Sequence, residues 1–352
     1  MQSMTFHRNF LTGTVPTEFS QLTSLSLLAL HSNQLTGSPF SAVLPLVSLN
    51  TLWLDNNKFT GSFPESIQRL SLLTHLRLQY NLFSKEIPSS LGSCTNLELL
   101  ELEHNYFSGS LPVSLGELKN IQVLKLAENR FSGEIPSLGN MTLMKDFVLR
   151  SNRFEGSVSF GVGKFQLLEF FDISGNIFTG KLPTELGELQ YLTQMYVQGN
   201  VFTGPLNMVF SQQPSNMSLI NIDLSDNKFS GSVPYSVFQI PSVAVVALSL
   251  NCFQGSLPVG ICDAKELQGA SMDGLGAAHG CAHSYSMPFT NIALFNKLEG
   301  SIPNCVFSMP NLKFLHMSGN GLTGTLAQIP DSSKLEYIHI AHNQITSTIS
   351  IC

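Results

Sequence analysis

Residues 97–112 read LELLELEHNYFSGSLP. Leu97, Leu100 and Leu102 point to one side. Glu101 and Glu103 alternate with them, so the stretch predicts a short strand with one buried face. Asn105 follows where the chain must turn, and a buried asparagine there can satisfy main-chain groups that otherwise carry a desolvation cost. Phe107 supplies an apolar ring two residues later. Gly109 allows a tight bend, and Pro112 ends any strand and fixes its own φ.

The phrase recurs along the chain. Its asparagines are Asn9, Asn33, Asn57, Asn81, Asn105, Asn129, Asn152, Asn176, Asn200, Asn227, Asn251, Asn296, Asn320 and Asn343, and nine of the thirteen intervals are 24 residues. A fixed period of roughly 20 to 29 residues on L-x-x-L-x-L-x-x-N is the signature of a leucine-rich-repeat solenoid. The asparagines then predict a ladder through the core. The rings Phe59, Phe83, Phe107, Phe131, Phe154, Phe178, Phe202, Phe229 and Phe253 predict a stacked spine.

The second motif, G-x-[apolar]-P, stands at Gly61–Pro64, Gly109–Pro112, Gly133–Pro136, Gly180–Pro183, Gly231–Pro234, Gly255–Pro258 and Gly300–Pro303. It resembles the plant-type class of leucine-rich repeat. That class is found in the ectodomains of receptor-like kinases, receptor-like proteins and cell-wall enzyme inhibitors, with related repeats in algal surface proteins. The resemblance covers nearly the whole chain. It implies an α/β solenoid, a right-handed superhelix with a concave parallel β-sheet and a second small sheet beside it. About 15 units, each adding about 4.8 Å, would give a sheet on the order of 70 Å long.

Three irregularities stand out. One residue is lost before Asn152, and three are added around Gln212–Asn216. The asparagine due at 275 is Leu275, although Leu267, Ala270 and Met272 keep the inward pattern. The expected organisation is repeats over 1–275 (units 1–12), an island loop over 276–290 and repeats over 291–352 (units 13–15). In plant-type receptors such islands sometimes form part of the ligand site.

Met1, Met4 and Phe6 already occupy inward positions, with no charged leader ahead of an apolar run, and the far end stops inside a unit. The chain therefore reads as a piece of a longer protein. It contains no uninterrupted apolar run long enough for a membrane span. Only 12% of residues are charged and the net charge is −6. That argues against nucleic-acid partners, which favour a basic stripe.

Cys252, Cys262, Cys281 and Cys305 cluster around the island, while Cys94 reads as a buried thiol. Four cysteines allow three pairings and the sequence does not choose among them. Cys262–Cys281 is the pairing expected, with Cys252 or Cys305 free or paired with each other. The clustering points to an oxidising compartment. Asn140 and Asn216 head N-glycosylation sequons in the non-strand half of their repeats.

No catalytic signature is present, so the chain is expected not to be an enzyme and to need no cofactor. The cluster His279, Cys281, His283 matches no familiar zinc spacing, and no metal is expected. His316 and His339 share one outward column in neighbouring units, where a pair could titrate near neutral pH.

The middle outward strand positions are Thr5, Ala29, Trp53, Arg77, Glu101, Lys125, Val148, Asp172, Tyr196, Asp223, Ala247 and Ser271. Trp53, the one tryptophan, is expected to face solvent beside Asp55, and binding energy concentrates in Trp, Tyr and Arg. Arg77, Glu101 and Lys125 alternate in sign and can pair across strands. The candidate ligand-binding set is Trp53, Asp55, His75, Arg77, Tyr80, Glu101, Glu103, Lys125 and Tyr196.

The reading is a binding module, the extracellular part of a cell-surface receptor or receptor-like protein. It is expected to take a protein, peptide or glycan on its concave face, with a co-receptor as a further partner and a membrane anchor outside this chain. Two alternatives are a secreted inhibitor or wall-associated scaffold, and the ectodomain of a receptor kinase whose catalytic domain lies outside these residues.

Overall fold

The computed structural model describes residues 1–210, 217–276, 293–294 and 296–346. It forms two compact units, Met1–Ile177 and Phe178–Cys352.

In the first unit the three-residue strands ahead of the asparagines run from Ser3–Thr5 to Phe170–Asp172, eight in all, and form one parallel inner sheet. Their register is strict. Thr51, Leu52 and Trp53 face His75, Leu76 and Arg77, which face Leu99, Leu100 and Glu101 in turn. Residues at equivalent places in successive coils are therefore neighbours. The second unit repeats this with six strands, Gln194–Tyr196 to Tyr337–His339.

Flank strands follow the asparagines from Asn9 to Asn320, among them Leu82–Lys85, Tyr106–Gly109 and Arg130–Glu134, which pair in parallel. The bend after Tyr106–Gly109 needs glycine: Gly109 has φ +78, and a Cβ there would lie 2.5 Å from Glu86 Cγ. Pro112 then opens a 3₁₀ turn, Val113–Glu117, which buries Leu115. A coil of this kind cannot bury its apolar face alone, and stacking completes each core.

The asparagines form the expected ladder. Asn81 Nδ2 donates to Leu54 O of the preceding coil at 3.0 Å and to Leu78 O of its own at 3.1 Å. Its Oδ1 accepts Phe59 N–H at 3.0 Å. Among the described residues, the residue before each asparagine makes the turn with left-handed backbone, including Tyr80 at φ 56 and His104 at φ 51. The phenylalanine spine also forms. Phe83, Phe107 and Phe131 stack at 6.1 Å steps in the first unit, and Phe178, Phe202 and Phe229 at 6.2 and 6.0 Å in the second.

The insertion interrupts one coil; it does not separate two. Asn296 Oδ1 accepts Phe253 N–H at 3.1 Å, and its Nδ2 donates to Met272 O at 3.3 Å and Asp273 O at 3.2 Å. Asn296 therefore closes the coil that strand Gly269–Ser271 opens, and the described residues hold fourteen inner strands. Leu275–Gly276 and Ala293–Leu294 pair antiparallel at the base of the insertion. Apart from Gly276, the expected island, with Cys281 and the two histidines, lies outside the described residues.

The expected Cys262–Cys281 pairing is corrected. Cys262 is bonded to Cys305, with Cα atoms 5.9 Å apart. The two sit on successive 3₁₀ turns, Val259–Asp263 and Asn304–Ser308, beside the equivalent inward residues Ile261 and Val306. Neighbours in space across the insertion are thus distant in sequence. Cys252 is disulfide-bonded as well.

Candidate functional site: a charged cleft on the inner sheet

The register turns the alternating charges into a ladder. Arg77 Nε lies 3.1 Å from Glu101 Oε2, Lys125 Nζ 3.5 Å from Glu101 Oε1 and 3.8 Å from Asp146 Oδ2. Gln79 adds a hydrogen bond to Glu101 Oε2 at 3.1 Å. The Arg77 Nε–H is not aimed at the carboxylate, so that contact is Coulombic. The Arg77 guanidinium carbon also lies over the Trp53 ring, 5.1 Å from its centroid.

This arrangement changes the expectation for Trp53. Its ring is half-buried: His31 meets it edge-on at 5.6 Å and His7 stacks on His31 at 4.5 Å. Its indole Nε1 is buried without a hydrogen-bond partner. Burial holds the His31 imidazole below its ordinary pKa, against the opposing pull of Asp55. Asp55 is itself buried and accepts from Asn56 Nδ2 at 2.8 Å. His75 Nδ1 lies 2.8 Å from Thr74 Oγ1.

Tyr80 stands apart from the strand face. Its left-handed turn places it on the rim, stacked on His104 at 4.2 Å and half exposed. Tyr196 belongs to the second unit, where its hydroxyl donates to Gln194 Oε1 at 2.9 Å. In that unit Phe314 stacks on Tyr337 at 5.4 Å and His316 on His339 at 4.4 Å.

Beyond the ladder the first unit opens into a cleft of about 300 Å³, lined by Glu103, Lys125, Asp146, Val148, Arg150, Phe170 and Asp172. Val148 makes it possible. Short and apolar, it forms the floor at the middle strand position while its neighbours on four sides are charged. Lys125 and Asp172 flank it along the column, and Asp146 and Arg150 precede and follow it by two residues. Asp172 is buried, and its Oδ1 accepts from Ser174 N at 3.0 Å and Ser174 Oγ at 2.6 Å. Burial pushes the Glu103 carboxyl above its ordinary pKa; Glu101 and Asp172 add to this and Lys125 and Arg150 oppose it.

The cleft thus joins two residues of the expected set, Glu103 and Lys125, with three that the reading did not single out: Asp146, Arg150 and Phe170. Their signal was present as charged and aromatic side chains two residues before or after the middle strand position. Cys94 is a free, buried thiol that burial pushes up to about 11, which leaves it poorly nucleophilic. Among the described residues no group of three or more His, Cys, Asp or Glu could hold a metal ion, and no helix is long and apolar enough to cross a membrane.

Comparison with known proteins agrees with this architecture. The Leucine Rich Repeat family pattern matches residues 48–70, 72–94, 96–118, 167–189, 218–240 and 311–332. The fold is that of a leucine-rich-repeat solenoid. It is 31% identical over 117 residues to Receptor-like protein 54 of Arabidopsis thaliana, a match spanning 33% of this chain and 12% of that protein. Among solved structures it is similar to the plant peptide hormone receptor RGFR1 in complex with RGF2, at 25% identity and a TM-score of 0.74, over 98% of this chain and 60% of that one. It is likewise similar to the Arabidopsis receptor kinase HAESA in complex with the peptide hormone IDA and the co-receptor SERK1. That match has 25% identity and a TM-score of 0.71, over 98% and 62% of the two chains. The chain therefore spans about three fifths of the length of these receptors.

Proposed function

We propose that this chain is the ligand-binding part of a plant-type surface receptor or receptor-like protein, and that it takes an extended peptide across the inner sheet of its first unit. The observation that carries the reading is the charged cleft over Val148, in a fold similar to receptors solved with peptide hormones. Lys125, Arg150, Glu103 and Asp172 are its contact residues. Trp53, Arg77 and Glu101 form the wall that holds Lys125 in place.

The same reading places the protein on the extracellular side of the membrane, anchored through a segment outside this chain, with a co-receptor as second partner. Asn140, exposed in the turn before Met141, carries an N-glycan in this proposal; Asn216 lies outside the described residues.

The test is capture of small secreted peptides from the extracellular fluid of plant tissue on the immobilised, secreted protein, read by mass spectrometry. Peptides retained by the natural sequence and lost from a Lys125→Glu, Asp172→Lys variant of unchanged melting temperature support the reading. Retention that is indifferent to the inner face and lost on changing the flank sheet would overturn it.

A further inference from the structure

Glu103 and Arg150 face the same cleft with opposite charge, and neither side chain has a hydrogen bond or an ion pair among the described residues. The other cation, Lys125, is already shared between Glu101 and Asp146. Glu103 and Arg150 hold the same place in coils two apart, each two residues ahead of its asparagine. The coil between them offers Ala127 at that place, and Ala127 is fully buried. A short slot therefore separates an anion from a cation.

The spacing is specific. Two strand steps put the two Cα atoms about 9.6 Å apart. The charged groups are more than 4.0 Å from each other, since no ion pair forms between them. In an extended peptide, side chains at i and i+2 lie on one face about 6.6 Å apart, which falls inside this window. Immediate neighbours point to opposite faces and cannot both reach the slot.

We propose that the slot reads a pair of oppositely charged ligand residues separated by one residue, a basic side chain on Glu103 and an acidic one on Arg150. This deepens the peptide-binding reading above and rests on it. Glu101 and Asp172 share the surroundings of Glu103 and favour the basic ligand residue there. Lys125, beside Arg150, favours the acidic one.

A panel of fluorescent peptides in an uncharged Gly/Ser/Asn background tests this, carrying Lys-x-Glu, Lys-x-Lys, Glu-x-Glu or no charge. Mixed-sign peptides are expected to bind about tenfold tighter than the others, as two half-exposed ion pairs allow. In Glu103→Lys both walls are cationic, and Glu-x-Glu becomes the best ligand. In Arg150→Glu both walls are anionic, and Lys-x-Lys becomes the best. A misfolded variant cannot produce these two opposite changes of preference.

An unchanged ranking in both variants, discrimination below about threefold, or no binding by any peptide would overturn the proposal. Natural peptides captured as above and retained by Glu103→Lys and Arg150→Glu alike would sink this inference alone. Loss with Lys125→Glu, Asp172→Lys would then still uphold the broader reading.

Discussion

The side-chain oxygen of Asn105 accepts the main-chain N–H of Phe83, one coil upstream, at 3.0 Å. The same side chain donates to Leu78 O of that coil at 2.9 Å and to Leu102 O of its own at 3.1 Å. One buried amide thus joins two coils and closes a turn. Asn105→Ala leaves the buried Phe83 N–H without a partner, while Leu78 O and Leu102 O keep the amides of Asn81 and Asn129. The expected loss is about 1–3 kcal/mol in urea unfolding. Asn9 is exposed and bonds only to Phe6 O and His7 O within its own coil, so Asn9→Ala should fall within about 0.5 kcal/mol of the natural protein. Equal losses at the two positions would refute the ladder as the source of stability.

Glu101 is the hinge of the charge ladder, largely buried and shared by Arg77, Lys125 and Gln79. Glu101→Gln leaves two cations facing each other on adjacent sides of one site. For half-buried partners the expected loss lies between exposed and buried pairs, about 1–2 kcal/mol. Because the pairs are partly screened, the loss should shrink in molar salt. A salt-independent loss would mean that packing, and not charge, holds the ladder.

The legible parts of this molecule were those with a strict period. Asn81, Phe83 and Gly109 each recur at fixed places, and the strand register follows once they do. The pairing of Arg77, Glu101 and Lys125 was readable because all three lie in one column. The cleft was less readable because it depends on a missing side chain: Val148 is short, so residues two places to either side, Asp146 and Arg150, gain a shared space. Trp53 was read as free surface because a column cannot show that Arg77 lies over its ring. Across the insertion the chain order ceased to report proximity. Asn296 therefore closed the coil of Gly269–Ser271, and Cys305 reached Cys262.

The Cys262–Cys305 bond closes a separation of 43 residues. Its removal from the unfolded chain's constraints should lower stability by about 4 kcal/mol on the chain-entropy estimate. The paired Cys262→Ser, Cys305→Ser variant is expected to lower the unfolding midpoint of the second unit. Tryptophan fluorescence reports the first unit, since Trp53 lies there, and its transition should move less than the far-ultraviolet circular dichroism signal. Identical shifts by both probes would show that the units unfold as one.

Glu103 gives the sharpest pH signature. Burial raises its carboxyl in the folded state above the ordinary value, which in an unfolded chain is about 4.3. Between those two values the folded protein holds more protons than the unfolded one, so stability falls as pH rises through the window. Below both values the group is protonated in either state and contributes nothing to the difference. Glu103→Gln removes the penalty, so the variant should unfold at higher urea than the natural protein at pH 7 and at the same urea near pH 3.5. Both proteins carry the same remaining titrating groups, His31 included, so the comparison isolates this carboxyl. A variant less stable at pH 7 than the natural protein would mean that Lys125 and Arg150 outweigh burial, and that Glu103 is held as an ion-paired anion.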